Sequence, residues 1–209
     1  MIASQDRSGW FGASDVSYII GNWETKSFEK WWLVKKALDS SDFTNEAMLA
    51  GTYYEHKILE FIGSPEMDKQ ILIPELRLRV NLDGNSDDTI YEVKTYRNDK
   101  GFKVPLKYKR QVWVQLYAFG LKKAYIVAYG LNEQDYKNFY NDIDGERLSR
   151  YEIEPNEDFI KNDFLPKIKY LAHCLNDGLF PRKERYEQWT TSSAGLLTLP
   201  EISRAVTQG

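Results

Sequence analysis

Apolar and polar positions along the chain follow two rhythms. Residues 27–38 ("SFEKWWLVKKAL"), 45–63 ("NEAMLAGTYYEHKILEFIG") and 105–121 ("PLKYKRQVWVQLYAFGL") repeat apolar side chains every three or four positions. That spacing predicts amphipathic helices. Ser27 stands at the start of the first, Gly63 and Pro65 close the second, and Pro105 falls in the first turn of the third. Ser14 with Asp15 reads as the N-cap of a shorter helix over "DVSYIIG". Residues 69–74, 76–83 and 89–96 ("KQILIP", "LRLRVNLD", "TIYEVKTY") read as strands, with "GNSDD" as the turn joining the second and third. "KAYIVAYG" at 123–130 reads as a buried strand, "SRYEIEP" as another, and 156–177 as a closing helix stopped by Gly178 and Pro181. The stretch 187–209 is expected to be loosely ordered. This order predicts an α/β fold with a central mixed β-sheet flanked by helices. It is expected to form a single domain over 1–209 with its core at about 7–180.

Composition narrows the class. The 209 residues are 42% hydrophobic and 14% aromatic, enough for a sizeable core. The tryptophans at 10, 23, 31, 32 and 113 are expected mostly inside it. No apolar run approaches the ~20 residues of a membrane span, and no secretion signal is read at the start. A lone cysteine, Cys174, excludes a disulfide framework, a thiolate zinc cage and an iron–sulfur cluster. A reducing, cytoplasmic setting is expected. The net charge of −3 conceals an uneven distribution. From Lys94 to Lys123 nine basic residues face one acid, Asp99, whereas Glu133 to Asp163 holds ten acids and four basic residues. A local positive block can steer an anion to one face of an acidic protein.

The strand at 89–96 carries the candidate chemistry. Glu92 and Lys94 stand two apart, so both point to the same face. Asp83, at the end of the preceding strand, would come close across a hairpin, and Glu55 lies on the long helix. Each has a plainer reading: a turn residue, a solvated helix residue, or a surface pair worth under ~1 kcal/mol. Together, three carboxylates without thiolates favour a hard cation, Mg²⁺ or Mn²⁺. Lys94, with a pKa lowered by crowding, could hold or deprotonate an attacking water.

The string "DGNSDDTIYEVK" resembles the PD-(D/E)XK nuclease signature, here Asp83, Glu92 and Lys94. Three further matches sharpen it. "AGTYYEH" is similar to the G-x-x-x-E helix motif of the phage λ exonuclease/YqaJ branch, placing Glu55 as the additional carboxylate. "DRSGWFGASD" resembles that branch's N-terminal segment, with Arg7 seven positions before Ser14. "YKRQVWVQLYAFG" resembles the helix after the hairpin, with Tyr108 and either Gln111 or Gln115 as its glutamine. The matches cover residues 7–130; Leu82 rather than proline precedes Asp83, and the C-terminal third has no counterpart.

The resemblance implies the PD-(D/E)XK restriction-endonuclease-like core and hydrolysis of DNA phosphodiester bonds with Mg²⁺ or Mn²⁺, two ions per site. It implies Asp83, Glu92 and the Val93 carbonyl as metal ligands, Glu55 as ligand to a second ion, and Lys94 beside the water. It also implies a 5′-phosphate pocket from Arg7, Ser14 and Gln111 or Gln115, with Tyr108, Lys103 and Arg110 along the DNA. Expected partners are double-stranded DNA ends, a single-strand annealing protein and a homotrimer, with no membrane. The activity implied is 5′→3′ exonuclease action in phage or prophage recombination, in the cytoplasm. A RecB-like or structure-specific endonuclease, or a silent DNA-end-binding module, is compatible with the same core.

Overall fold

The computed structural model describes residues 8–39, 46–192 and 205–207. A 3₁₀ turn at Ala13–Asp15 runs into α1 (Val16–Ile20), followed by α2 (Lys26–Lys35) and α3 (Glu46–Ile62). Strands β1 (Glu66–Met67), β2 (Gln70–Ile73), β3 (Leu78–Asn81), β4 (Gly84–Asn85) and β5 (Thr89–Arg97) come next. Then follow α4 (Leu106–Phe119), β6 (Lys123–Leu131), α5 (Glu133–Lys137) and β7 (Leu148–Ile153). A π-type segment, Phe159–Phe164, leads into α6 (Leu165–Asn176), α7 (Lys183–Thr191) and β8 (Ala205–Thr207). No described helix is long and apolar enough to cross a membrane. The chain divides into two compact units, each built from separated stretches.

The first unit holds residues 1–41, 71–80 and 156–206. Its core is aromatic: Phe11, Phe28, Trp31 and Trp32 are buried, and Trp32 stacks on Phe11 at 6.1 Å and on Phe28 at 6.0 Å. Trp23 stacks on Tyr170 of α6 at 5.3 Å. Thr25, not Ser27, caps α2, its hydroxyl accepting from the Phe28 amide at 3.2 Å. The Asp15 side chain does not make the cap bond to α1 that the sequence suggested, but ties the preceding turn. Its carboxylate accepts from the Gly12 amide at 2.8 Å, the Trp31 indole at 2.9 Å and the buried Lys35 ammonium at 2.6 Å. Three donors of this kind hold the "FGASD" turn in one shape.

The second unit holds 42–70, 81–155 and 207–209. Its mixed sheet runs in the order β1-β4-β5-β6-β7. Only β5 and β6 are parallel, in register from Thr89↔Lys123 to Arg97↔Leu131, and α4 supplies the crossover that parallel neighbours require. Ala50, Tyr54, Ile58 and Leu59 of α3 pack on Val93, Val127, Tyr129 and Leu131. Because strand residues alternate, Val93 on that side places Glu92 and Lys94 on the opposite face, where α4 lies. Gly84 is required by space: a Cβ there would come within 2.5 Å of the Leu59 side chain.

Three expectations change. The strand at 76–83 is shorter and pairs with β2, in a separate sheet of order β3-β2-β8, instead of forming a long hairpin with β5. The alternation in "LRLRVNLD" specifies a strand with buried Leu78 and Val80, but not the partner. The hairpin that does form is the small β4–β5 pair, Gly84↔Tyr91 and Asn85↔Ile90. Within the stretch expected to be loose, residues 187–191 belong to α7, whose Tyr186 and Trp189 rings sit 5.3 and 5.7 Å from Tyr170.

The second unit is tied by buried Asp135, 2% exposed. It accepts from the Asn132 amide at 2.8 Å, Arg147 at 2.5 Å, Asn141 at 3.2 Å and the Tyr54 hydroxyl at 3.3 Å. Burial alone would raise its pKa, but these donors hold it below the usual carboxylate range. A depressed pKa adds stability at neutral pH that is lost as pH falls through the folded-state value. Asp135→Ala leaves Arg147 with Asp144 and the Gly130 carbonyl but removes its buried partner, and is expected to cost ~2 kcal/mol in urea unfolding at pH 7, with the deficit shrinking in acid.

Candidate active site

At residue 82 the chain changes sheets. The Leu82 amide bonds to the Lys69 carbonyl at 2.8 Å, so β4 begins only at Gly84 and the ladder on β5 stops at Tyr91. The next amide of β5 facing that edge belongs to Val93. Asp83 satisfies it: its Oδ2 accepts from the Val93 amide at 2.7 Å. N–H and C=O of one strand residue face the same edge, so the Val93 carbonyl points toward Asp83 as well. A side chain thus replaces a missing strand and sets a carboxylate on the edge that the Val93 carbonyl faces.

Glu92 lies next to it, 1% exposed. Its Oε1 accepts from the Lys94 ammonium and from Gln111 at 2.5 Å; its Oε2 accepts from Gln115, also at 2.5 Å. The two glutamines stand one turn apart on α4, which brings both to the same strand. The Lys94 Nζ lies 5.2 Å from the centroid of the Tyr108 ring, and the Lys107 Nζ lies 4.9 Å from the same centroid. Lys94 is therefore held between a carboxylate and an aromatic face.

Glu55 completes the group from α3. Its pKa is raised, first by burial and then by the charge of Glu92. Asp83 is raised well above the ordinary range, by burial first and then by Glu92 and Glu55. Asp83 and Glu55, both raised, form with Glu92 an oxygen-rich site in which three carboxylates share one cationic side chain, Lys94. That donor set fits a hard divalent cation, with Asp83, Glu92, the Val93 carbonyl and Glu55 as the groups that would hold it. Lys94 departs from the expectation. Burial pulls its pKa down, but Glu92 and Asp83 outweigh burial and the net shift is upward. Without a cation on these carboxylates, they hold Lys94 as an ammonium.

Asp68 escaped the sequence reading, whereas His56 reads there as a helix-surface residue beside the ligands. Glu55, His56 and Asp68 offer ligand atoms within 4.8 Å of one another, and the His56 Nε2 lies 3.0 Å from Asp68. Asp68 sits at φ 58°, and its amide bonds to the Asp83 carbonyl at 3.2 Å. A turn aspartate in "EMDKQ" carries no sequence signal for this, because only the sheet switch at Leu82 brings it near. Of the other expected residues, Lys103 is exposed and Arg110 half-buried on α4. Ser14 is exposed on the 3₁₀ turn of the first unit, and Arg7 lies outside the described residues.

No protein-family model matches the chain, and no curated protein matches it in sequence. Solved structures do. An alkaline exonuclease (LHK-Exo) from Laribacter hongkongensis matches with a TM-score of 0.60 at 19% identity, over 91% of this chain and 96% of that one. The same exonuclease in complex with dAMP matches equally well, at 18% identity. A phage-related exonuclease from Haemophilus somnus 129PT matches with a TM-score of 0.54 at 13% identity, over 87% of this chain and 95% of that one. The likeness is one of fold: a mixed α/β core with a central mixed sheet flanked by helices.

The raised carboxylates have a measurable consequence. A carboxyl whose folded-state pKa is raised costs stability once pH exceeds that value, and the cost disappears below the unfolded-state pKa. Asp83→Asn keeps an acceptor for the Val93 amide and removes the charge. In chelator at pH 7 it is expected to raise Tm by a few degrees, ~1 kcal/mol, with the gain vanishing toward pH 4. Differential scanning calorimetry across that range checks it; a lowered Tm at pH 7 contradicts the electrostatic account.

Proposed function

We propose that this chain is a metal-dependent DNA exonuclease that works 5′→3′ on duplex ends, in phage or prophage recombination in the cytoplasm. The observation that carries the reading is the carboxylate group of Asp83, Glu92 and Glu55 around the Lys94 ammonium. It gains support from a fold shared with solved exonucleases.

Mg²⁺ or Mn²⁺, two ions per site, would lower the pKa of a water and offset charge on the scissile phosphate. The protein's own groups would do the rest. Asp83, held by the Val93 amide, and Glu92, held by Gln111 and Gln115, would set the position of the reacting centre. Lys94 would hold the attacking water or a phosphate oxygen and, as an ammonium, would counter negative charge as the phosphorus–O3′ bond breaks. Water supplies the hydroxyl that joins phosphorus, and the departing O3′ takes a proton. The remaining strand then carries a fresh 5′-phosphate.

An end-recognising enzyme must bind what only an end possesses. Arg7, Ser14 and Gln111 would hold the 5′-phosphate, as the resemblance to the λ exonuclease/YqaJ branch implies. Lys103, Tyr108 and Arg110 would follow the DNA backbone, giving salt-sensitive and sequence-tolerant affinity. A homotrimer enclosing DNA and an annealing-protein partner belong to the same reading.

Incubating 5′-phosphorylated linear duplex and closed circular duplex with Mg²⁺ or Mn²⁺ tests it. Mononucleotides should appear from the linear form alone; nicked circles would move the activity to the endonuclease class. Binding without any release would leave an end-binding module. Lys94→Ala is expected to lower kcat at least ~100-fold while DNA affinity stays within about threefold. Arg7→Ala should erase the preference for 5′-phosphate over 5′-hydroxyl ends, measured as a ratio of kcat/KM values.

A further inference from the structure

Gln111 and Gln115 both reach Glu92, but from different surroundings. Gln111 is half-buried and shares Oε1 with Lys94. Gln115 is 1% exposed and meets Oε2 alone. Its Nε2 also lies 3.4 Å from the Asn81 carbonyl, while its Oε1 has no partner among the described residues. Two acceptors on one side fix the amide. Turning it over would aim a carbonyl oxygen at a carboxylate. A methionine of similar length would fill the same volume without burying an unpaired oxygen, which ordinarily destabilises a fold. The amide is therefore poorly explained as packing, and its bond to Glu92 is the chemistry it supplies.

We propose that Gln115 is a positioning residue for Glu92: it pins Oε2 from the buried side, so that Oε1 is the oxygen presented to a divalent cation. The proposal rests on the metal-dependent reading given above. It assigns the two glutamines separate tasks. Gln115 holds the carboxylate still. Gln111, on the more open oxygen with Lys94, is free to exchange that contact for a phosphate. A carboxylate with one oxygen anchored presents the other in a narrow range of directions, which favours ion binding because less freedom is lost.

Calorimetric titration of the full chain with MnCl₂ reads this role without turnover. Gln115→Met is expected to weaken Mn²⁺ binding about tenfold and to lower kcat on 5′-phosphorylated duplex while KM stays within about twofold. In a Glu92→Gln background the same change should add no further loss, since the interaction is already gone. Unchanged Mn²⁺ affinity in Gln115→Met, or an additive loss in the double variant, overturns the proposal. If Gln115→Met does not fold by circular dichroism, Gln115→Asn replaces it. Its amide is withdrawn by one methylene, so the same weakening is expected, and unchanged affinity again overturns the proposal. A parent protein that binds Mn²⁺ yet releases no nucleotide ends the exonuclease reading, and the titration still decides the role of Gln115. A parent that binds no Mn²⁺ overturns both.

Discussion

Like charges gather in a half-buried place only when something holds them there. In the second unit the holding element is the amide of Val93. The strand that should cover it is absent because the chain leaves for another sheet at Leu82, and the Asp83 carboxylate takes the amide instead. Most of the site follows from that substitution. Asp83 is fixed beside Glu92, Glu92 is fixed by α4, and Lys94 stands between them as their counter-charge. Burial and mutual repulsion push Asp83 and Glu55 upward, so the site costs stability in the resting protein. Such a cost is understandable where a cation supplies the missing charge.

The same unit contains the opposite arrangement. Asp135 meets Arg147 and three further donors, and its pKa goes down. Asp83 accepts from the Val93 amide, and burial with two neighbouring carboxylates drives its pKa up. One carboxylate is a structural tie and the other is left with unbalanced charge, a difference set by neighbours and donors.

Much of this was legible in the sequence. Glu92 and Lys94 declared themselves by strand alternation, and α3 and α4 by helical periodicity with glycine and proline at their ends. The spacing from Asp83 to Lys94 survived even though the expected hairpin did not, because the short β4 still returns the chain to β5. Sheet assignment was not legible. Leu78 and Val80 alternate as any strand would, and nothing local says which edge they join. Asp68 and the division between Gln111 and Gln115 depend on long-range placement, and α7 depends on aromatic docking against Tyr170, so their local sequence held no sign of them.

Diffraction from crystals soaked in Mn²⁺, with anomalous data, tests the central claim most directly. The account predicts an anomalous peak bonded to oxygens of Asp83 and Glu92, close to the Val93 carbonyl. A well-ordered site without such a peak, or a peak confined to His56 and Asp68, would contradict it.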